Sequence, residues 1–143
     1  MWLLDTNICI HLIKRKPRAV LDHLHTLEVS KVAVSSITLA ELQFGVAKSD
    51  RPEQNSEALA AFLAPLTVCP FTDEAAEAYG PIRADLERQG TPIGSLDLLI
   101  GAHALALGFT LVTNNDREFR RIKGLKWENW VASTDEGIPK KSP

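Results

Sequence analysis

The sequence predicts an α/β domain built on a mostly parallel sheet, and three observations carry that prediction. Short apolar runs alternate with stretches of helical periodicity along nearly the whole chain, as in strand–helix–strand units. The runs are apolar almost throughout, as strands covered on both faces must be. Two of them pass directly into polar residues: Trp2-Leu3-Leu4 into Asp5, and Phe109-Thr110-Leu111-Val112 into Thr113-Asn114-Asn115-Asp116.

Taken in order, Trp2-Leu3-Leu4 is a buried first strand. Residues 7–13 read as a helix, Pro17 marks a break, and residues 19–27 read as a second helix. Val32-Ala33-Val34-Ser35 is β-branched and short, a second strand. Leu39, Leu42 and Val46 follow at helical spacing, with Thr38 and Glu41 placed as a capping box. Polar residues 48–56 connect to a helix that runs through about residue 62. The 66–71 segment holds a third strand. Ala75, Tyr79, Ile82 and Leu86 mark a helix that Gly80-Pro81 is expected to kink or divide, and Gly90 suits the position after its end. Leu96, Leu99, Ile100, His103, Ala104 and Leu107 follow the i, i+3, i+4, i+7 template, and Gly108 supplies the stop. The fourth strand, 109–112, a short helical turn and an edge strand near 127–131 complete a domain spanning residues 1–132. Residues 133–143 are small, charged or Pro-containing, which predicts a flexible C-terminal tail.

A chain of 143 residues fits one domain and buries enough surface to fold without metal or disulfide staples. No apolar stretch approaches the roughly 20 residues that span a bilayer. No basic region precedes the apolar amino terminus, so it does not read as a signal peptide. Cys9 and Cys69 have no metal-ligand spacing, which favours a reduced, cytoplasmic setting. A net charge of −2 argues against a large non-specific DNA-binding surface. Basic residues nevertheless cluster at Lys14, Arg15, Lys16 and Arg18, and again at Arg117, Arg120, Arg121, Lys123 and Lys126. Such runs are usually solvated surface; if they flank an acidic centre, they become phosphate-contacting rims, with Arg117 and Arg120 as the RNA-contacting candidates.

The acidic centre is the more informative expectation. Asp5 and Asp116 follow strands, and Glu41 and Asp97 fall in the opening turns of helices on the same side of the sheet. A parallel sheet binds ligands at the carboxyl ends of its strands, where strand order reverses. Each acid also has a local explanation: Glu41 in the capping box, Asp97 at a helix N-terminus, Asp116 at the start of a turn. Asp5 is the hardest to explain locally. Together they form a repulsive cluster that a cation would neutralise, and an oxygen-only donor set favours Mg2+ or Mn2+. Gly45 and Gly101 stand one turn from Glu41 and Asp97, either leaving room for a ligand or allowing close helix packing. His103 falls on an apolar helix face and reads as a core histidine.

With these residues in place the chain resembles the PIN-domain ribonucleases, and among them the VapC-type toxins of bacterial toxin–antitoxin pairs. The resemblance is carried by Met1-Trp2-Leu3-Leu4-Asp5-Thr6-Asn7 and by Ser36-Ile37-Thr38-Leu39-Ala40-Glu41-Leu42-Gln43-Phe44-Gly45. It continues through Asp97-Leu98-Leu99-Ile100-Gly101-Ala102-His103 and Leu111-Val112-Thr113-Asn114-Asn115-Asp116-Arg117-Glu118-Phe119. It implies a three-layer α/β/α sandwich with a central, mostly parallel sheet and an acidic pocket binding Mg2+ or Mn2+. Asp5 and Asp97 would be the main metal ligands and catalytic acids, with Glu41 and Asp116 as a second pair. Thr6, Asn7, Thr113 and Asn114 would form the pocket edge. The implied reaction is hydrolysis of an RNA phosphodiester, with tRNA a plausible target. The implied partners are a VapB-type antitoxin, an RNA substrate and a second copy of the chain, with no membrane. A competing expectation is a catalytically silent binding module whose acidic pocket captures a basic peptide. A phosphotransfer receiver domain would need paired acids at the first strand and a late Lys after a strand, and neither is present.

Overall fold

The computed structural model describes residues 1–133 and 139–143. Five strands run parallel in the order β3-β2-β1-β4-β5, with a sixth, β6, antiparallel at the edge. They are β1 (Trp2–Leu4), β2 (Val32–Ser35), β3 (Thr67–Cys69), β4 (Thr110–Val112), β5 (Trp127–Ser133) and β6 (Pro139–Lys141). One face is covered by α1 (Thr6–Lys14), α2 (Arg18–His25), α3 (Ser36–Ala47) and α4 (Pro52–Leu63), the other by α5 (Asp73–Arg88), α6 (Ser95–Leu107) and α7 (Asp116–Phe119). This is the three-layer α/β/α arrangement. Successive strand residues supply opposite cores: Leu3, Ala33 and Leu111 pack under α5 to α7, while Leu4, Val34 and Val112 pack under α1 to α4. Leu3 and Leu4 are both fully buried, and each contributes about 2 kcal/mol of transfer free energy.

Register places the chemistry. Leu4 pairs with Val34 on one side and Val112 on the other, so the three strands end level and Asp5, Ser35 and Thr113 lie side by side. The sheet extends away from β1 towards β2 on one side and β4 on the other, the strand-order reversal that opens a crevice in such folds.

Several local expectations change. The N-cap of α3 is Ser35, whose hydroxyl accepts from the Ile37 N–H at 3.0 Å; Thr38 and Glu41 therefore lie inside the helix and form no capping box. Gly80-Pro81 does not divide α5, which is continuous over 16 residues. Both Pro81 and Glu77 are exposed, so the carbonyl four residues before the proline can turn to water. The α6 helix is buried well beyond a single stripe: Leu98, Ile100, Gly101, Ala102, His103 and Ala104 are buried, while Leu96 is exposed. Gly108 ends it in the left-handed region at φ 70°, where glycine carries no Cβ penalty. Strand β5 is not the sheet edge, because Lys141 pairs with Glu128 and Lys140 with Asn129. Residues 139–141 of the segment read from sequence as a loose tail thus form a strand; its residues 134–138 lie outside the described residues.

Candidate active site

Asp5 follows β1 and is the N-cap of α1, where its Oδ1 accepts from the Ile8 N–H at 2.9 Å. It has a local duty that the sequence reading did not assign. It is almost fully buried, and burial is the main cause that pushes its carboxyl up to about 7; the charges of Asp97 and Glu41 add to this, while Thr113 and the Ile8 N–H pull it down. Asp97 stands in the first turn of α6 and is also raised, first by burial, then by the charges of Glu118 and Glu41, with Asn115 opposing. Glu41 reaches the same place from the second turn of α3, where the Thr6 hydroxyl donates to its Oε1 at 2.7 Å. Thr6 therefore anchors a carboxylate across two helices.

The fourth acid is Glu118 rather than Asp116. Asn115 caps α7 and its side-chain amide donates to Glu118 Oε2 at 3.0 Å and to Asp97 Oδ2 at 3.3 Å. One amide thus ties the two carboxylates together. Asp116 faces elsewhere: its Oδ1 accepts from Asn129 at 2.8 Å and its Oδ2 from Arg120 at 2.7 Å. Burial alone would raise Asp116, but these two hydrogen bonds hold it below its ordinary value. Asp116 fastens α7 to β5. The sequence carried a signal for Glu118, since Asn115 and Glu118 have the N-cap and N3 spacing of a helix start.

Of the other pocket-edge residues, Thr113 is buried and accepts from the Asn115 N–H at 2.9 Å. Asn114 lies 3.5 Å from His11 Nε2, and Asn7 is exposed. The two glycines separate. A Cβ on Gly101 would stand 2.6 Å from Ile122 Cδ1 and 3.2 Å from the Phe119 ring, whereas a Cβ on Gly45 would meet nothing within 4 Å. Gly101 serves close packing of α6 on α7. Gly45 lines a cavity of about 250 Å³ together with Lys14, Glu41 and Leu42. His103 is buried with its Nδ1 2.8 Å from the Ser35 hydroxyl, a core position as expected; burial pushes it down.

The donor set is oxygen only. Among the described residues no three acidic, His or Cys side chains converge as a ready-made metal cage. Mg2+ retains several waters and needs only one or two carboxylates, so Asp5 and Asp97 with Glu41 and Glu118 behind them suit such an ion chemically. Repulsion at Asp5 and Asp97 is what a cation would relieve.

The PIN domain family matches residues 2–125. The chain belongs to the PIN-domain family. Ribonuclease VapC2 of Rickettsia felis is 46% identical over 131 residues, which cover 91% of this chain and 98% of that protein. The tRNA(fMet)-specific endonuclease VapC of Shigella flexneri is 44% identical over 129 residues, covering 90% and 97%. A chain in the crystal structure of VapBC2 from Rickettsia felis bound to a promoter DNA fragment matches with a TM-score of 0.85 at 45% identity, covering 90% of this chain and 98% of that one. Among the described residues no helix is long and apolar enough to cross a membrane.

Proposed function

We propose that this PIN domain is a Mg2+- or Mn2+-dependent endoribonuclease that acts as the toxin of a toxin–antitoxin pair, with tRNA as its target. The observation that carries the reading is that Asp5, Glu41, Asp97 and Glu118 lie within electrostatic reach of one another at the carboxyl edge of the sheet, where Asp5 and Asp97 are both raised. A divalent cation held there supplies Lewis acidity towards a phosphodiester and makes water a better nucleophile at neutral pH. Thr6 and Asn115 fix the carboxylates, so little reorganisation is needed as charge develops. Basic residues flank the centre: Lys14 shares a cavity with Glu41, and Arg117 precedes Glu118 on α7 with its side chain exposed. These residues suit phosphate oxygens on either side of the scissile bond.

The tRNA assignment draws on the Shigella flexneri relative, and a VapB-type antitoxin draws on the VapBC complex; pairing with a second copy of the chain rests on the family resemblance alone. Purified protein with Mn2+ is expected to cleave tRNA, and Asp5→Asn and Asp97→Asn are expected to abolish cleavage. Equal cleavage by wild type and both variants would identify a contaminant and end the proposal. Absence of divalent binding by calorimetry would favour instead a silent module that captures a basic peptide.

A further inference from the structure

A cavity of about 790 Å³ opens at the N-terminal end of β5, between the 122–126 turn and β6. Five of its eleven described lining residues are cations, Arg120, Lys123, Lys126, Lys140 and Lys141, and none of the eleven is acidic. In a chain of net charge −2 that is a strong local excess. Arg120 and Lys141 already meet carboxylates, Asp116 at 2.7 Å and Glu128 at 3.7 Å. Lys123, Lys126 and Lys140 have no ion-pair partner among the described residues.

One wall of this cavity lies beyond the family match, which spans residues 2–125, whereas β6 covers Pro139–Lys141. That wall is held firmly: the Ser142 N–H donates to the Trp127 carbonyl at 2.8 Å, and the Trp127 N–H donates to Ser142 Oγ at 3.0 Å. Lysines on an edge strand commonly deter strand pairing, which accounts for Lys140 and Lys141. It does not account for Lys123 and Lys126 on the facing wall. Two cationic walls around one groove suit a polyanion running between them.

The short helix α7 connects this groove to the acidic centre. Glu118 belongs to the centre and Arg120, two residues on, lines the groove with its guanidinium 5.6 Å from the Trp127 ring centroid. We propose that β6 completes a second phosphate-binding groove, which holds the RNA backbone beside the cleavage centre. The proposal rests on the ribonuclease reading above. RNA is favoured over an acidic protein because Glu118 of the acidic centre and Arg120 of the groove stand two residues apart, within reach of one RNA backbone.

The test uses the full chain carrying Asp97→Asn, so that RNA is bound but not cut, with a single-stranded RNA of about 20 nucleotides between about 50 and 200 mM salt. Adding Lys123→Gln, Lys126→Gln and Lys140→Gln is expected to reduce the slope of log K against log salt by about 2 and to weaken binding about a hundredfold at 0.1 M. Lys140→Gln alone is expected to lower the slope by about 0.7, a check that does not depend on the triple variant folding. With Asp97 intact, the same triple substitution is expected to leave cleavage of a trinucleotide unchanged, because that substrate cannot reach the groove. An unchanged salt slope overturns the groove even where cleavage persists. A reduced slope with no cleavage by the wild type keeps the groove and overturns the ribonuclease reading. Tighter, lysine-dependent binding of duplex DNA or of a polyglutamate peptide reassigns the groove and overturns the RNA proposal.

Discussion

Asp5 combines a helix cap with a buried charge, and its titration has a defined sign. With its folded value near 7 against 3.8, the native state holds a proton that the unfolded chain has lost. Stability therefore falls as pH rises from about 4 to about 7 and is level above that. Asp5→Asn keeps a capping oxygen and removes the charge. It is expected to raise the melting temperature at pH 8, by up to about 4 kcal/mol in free energy, and to give no such gain at pH 4. An equal effect at both pH values would refute the assignment. Glu118 and Asp116 separate in the same way. Glu118→Gln is expected to cost about 10- to 100-fold in RNA cleavage with little change in denaturant midpoint. Asp116→Ala leaves the buried Asn129 amide without that acceptor and is expected to cost about 1–3 kcal/mol of stability. If Asp116→Ala abolished cleavage at full stability, the two roles would be reversed. The acids Asp5, Glu41 and Asp97 were readable from their positions after strands and at helix starts. The choice between Asp116 and Glu118 was readable only in part: the Asn115–Glu118 spacing is a local signal, but Asp116 turns away only because β5 brings Asn129 to it.

At the scale of elements, caps and glycines decide how the helices meet the sheet. Ser35, Ser36 and Thr38 can all cap a helix by composition. Ser35 does so because β2 ends there, and its hydroxyl also meets His103. Gly101→Ala would gain helix propensity of about 1 kcal/mol, but its Cβ would press on the fully buried Phe119 ring. A net loss of about 1–3 kcal/mol is expected, together with slower cleavage because α7 carries Glu118. Gly45→Ala has open space and is expected to gain about 0.5–1 kcal/mol. Urea denaturation of the pair checks this; a stabilised Gly101→Ala would show that α7 yields freely. The continuous α5 follows the same logic, because a proline on an exposed helix face leaves its orphaned carbonyl to solvent.

For the whole molecule, cation binding is linked to folding. An ion that binds only the native state at about 100 times its Kd adds about 2.7 kcal/mol, which for a domain of this size is about 8 °C. Mn2+ is expected to raise the melting temperature by that order at pH 8 and by clearly less at pH 5, where protons already neutralise Asp5. A shift of equal size at both pH values, or none at pH 8, would contradict the acidic centre as the binding site. Shape also follows from the sheet: β1 lies between β2 and β4, so the crevice opens at the end of the first strand.

The sequence by itself determined the α/β class, the strand-and-helix order, Gly108 as a helix stop and the positions of Asp5, Glu41 and Asp97 after a strand or near a helix start, because these depend on periodicity and on neighbours within a few residues. Tertiary structure alone decided the pairing of Asp116 with Asn129, the packing role of Gly101 and the pairing of residues 139–141 with β5. Each of these depends on which side chain faces which across elements distant in sequence, and local propensity carries no information about that.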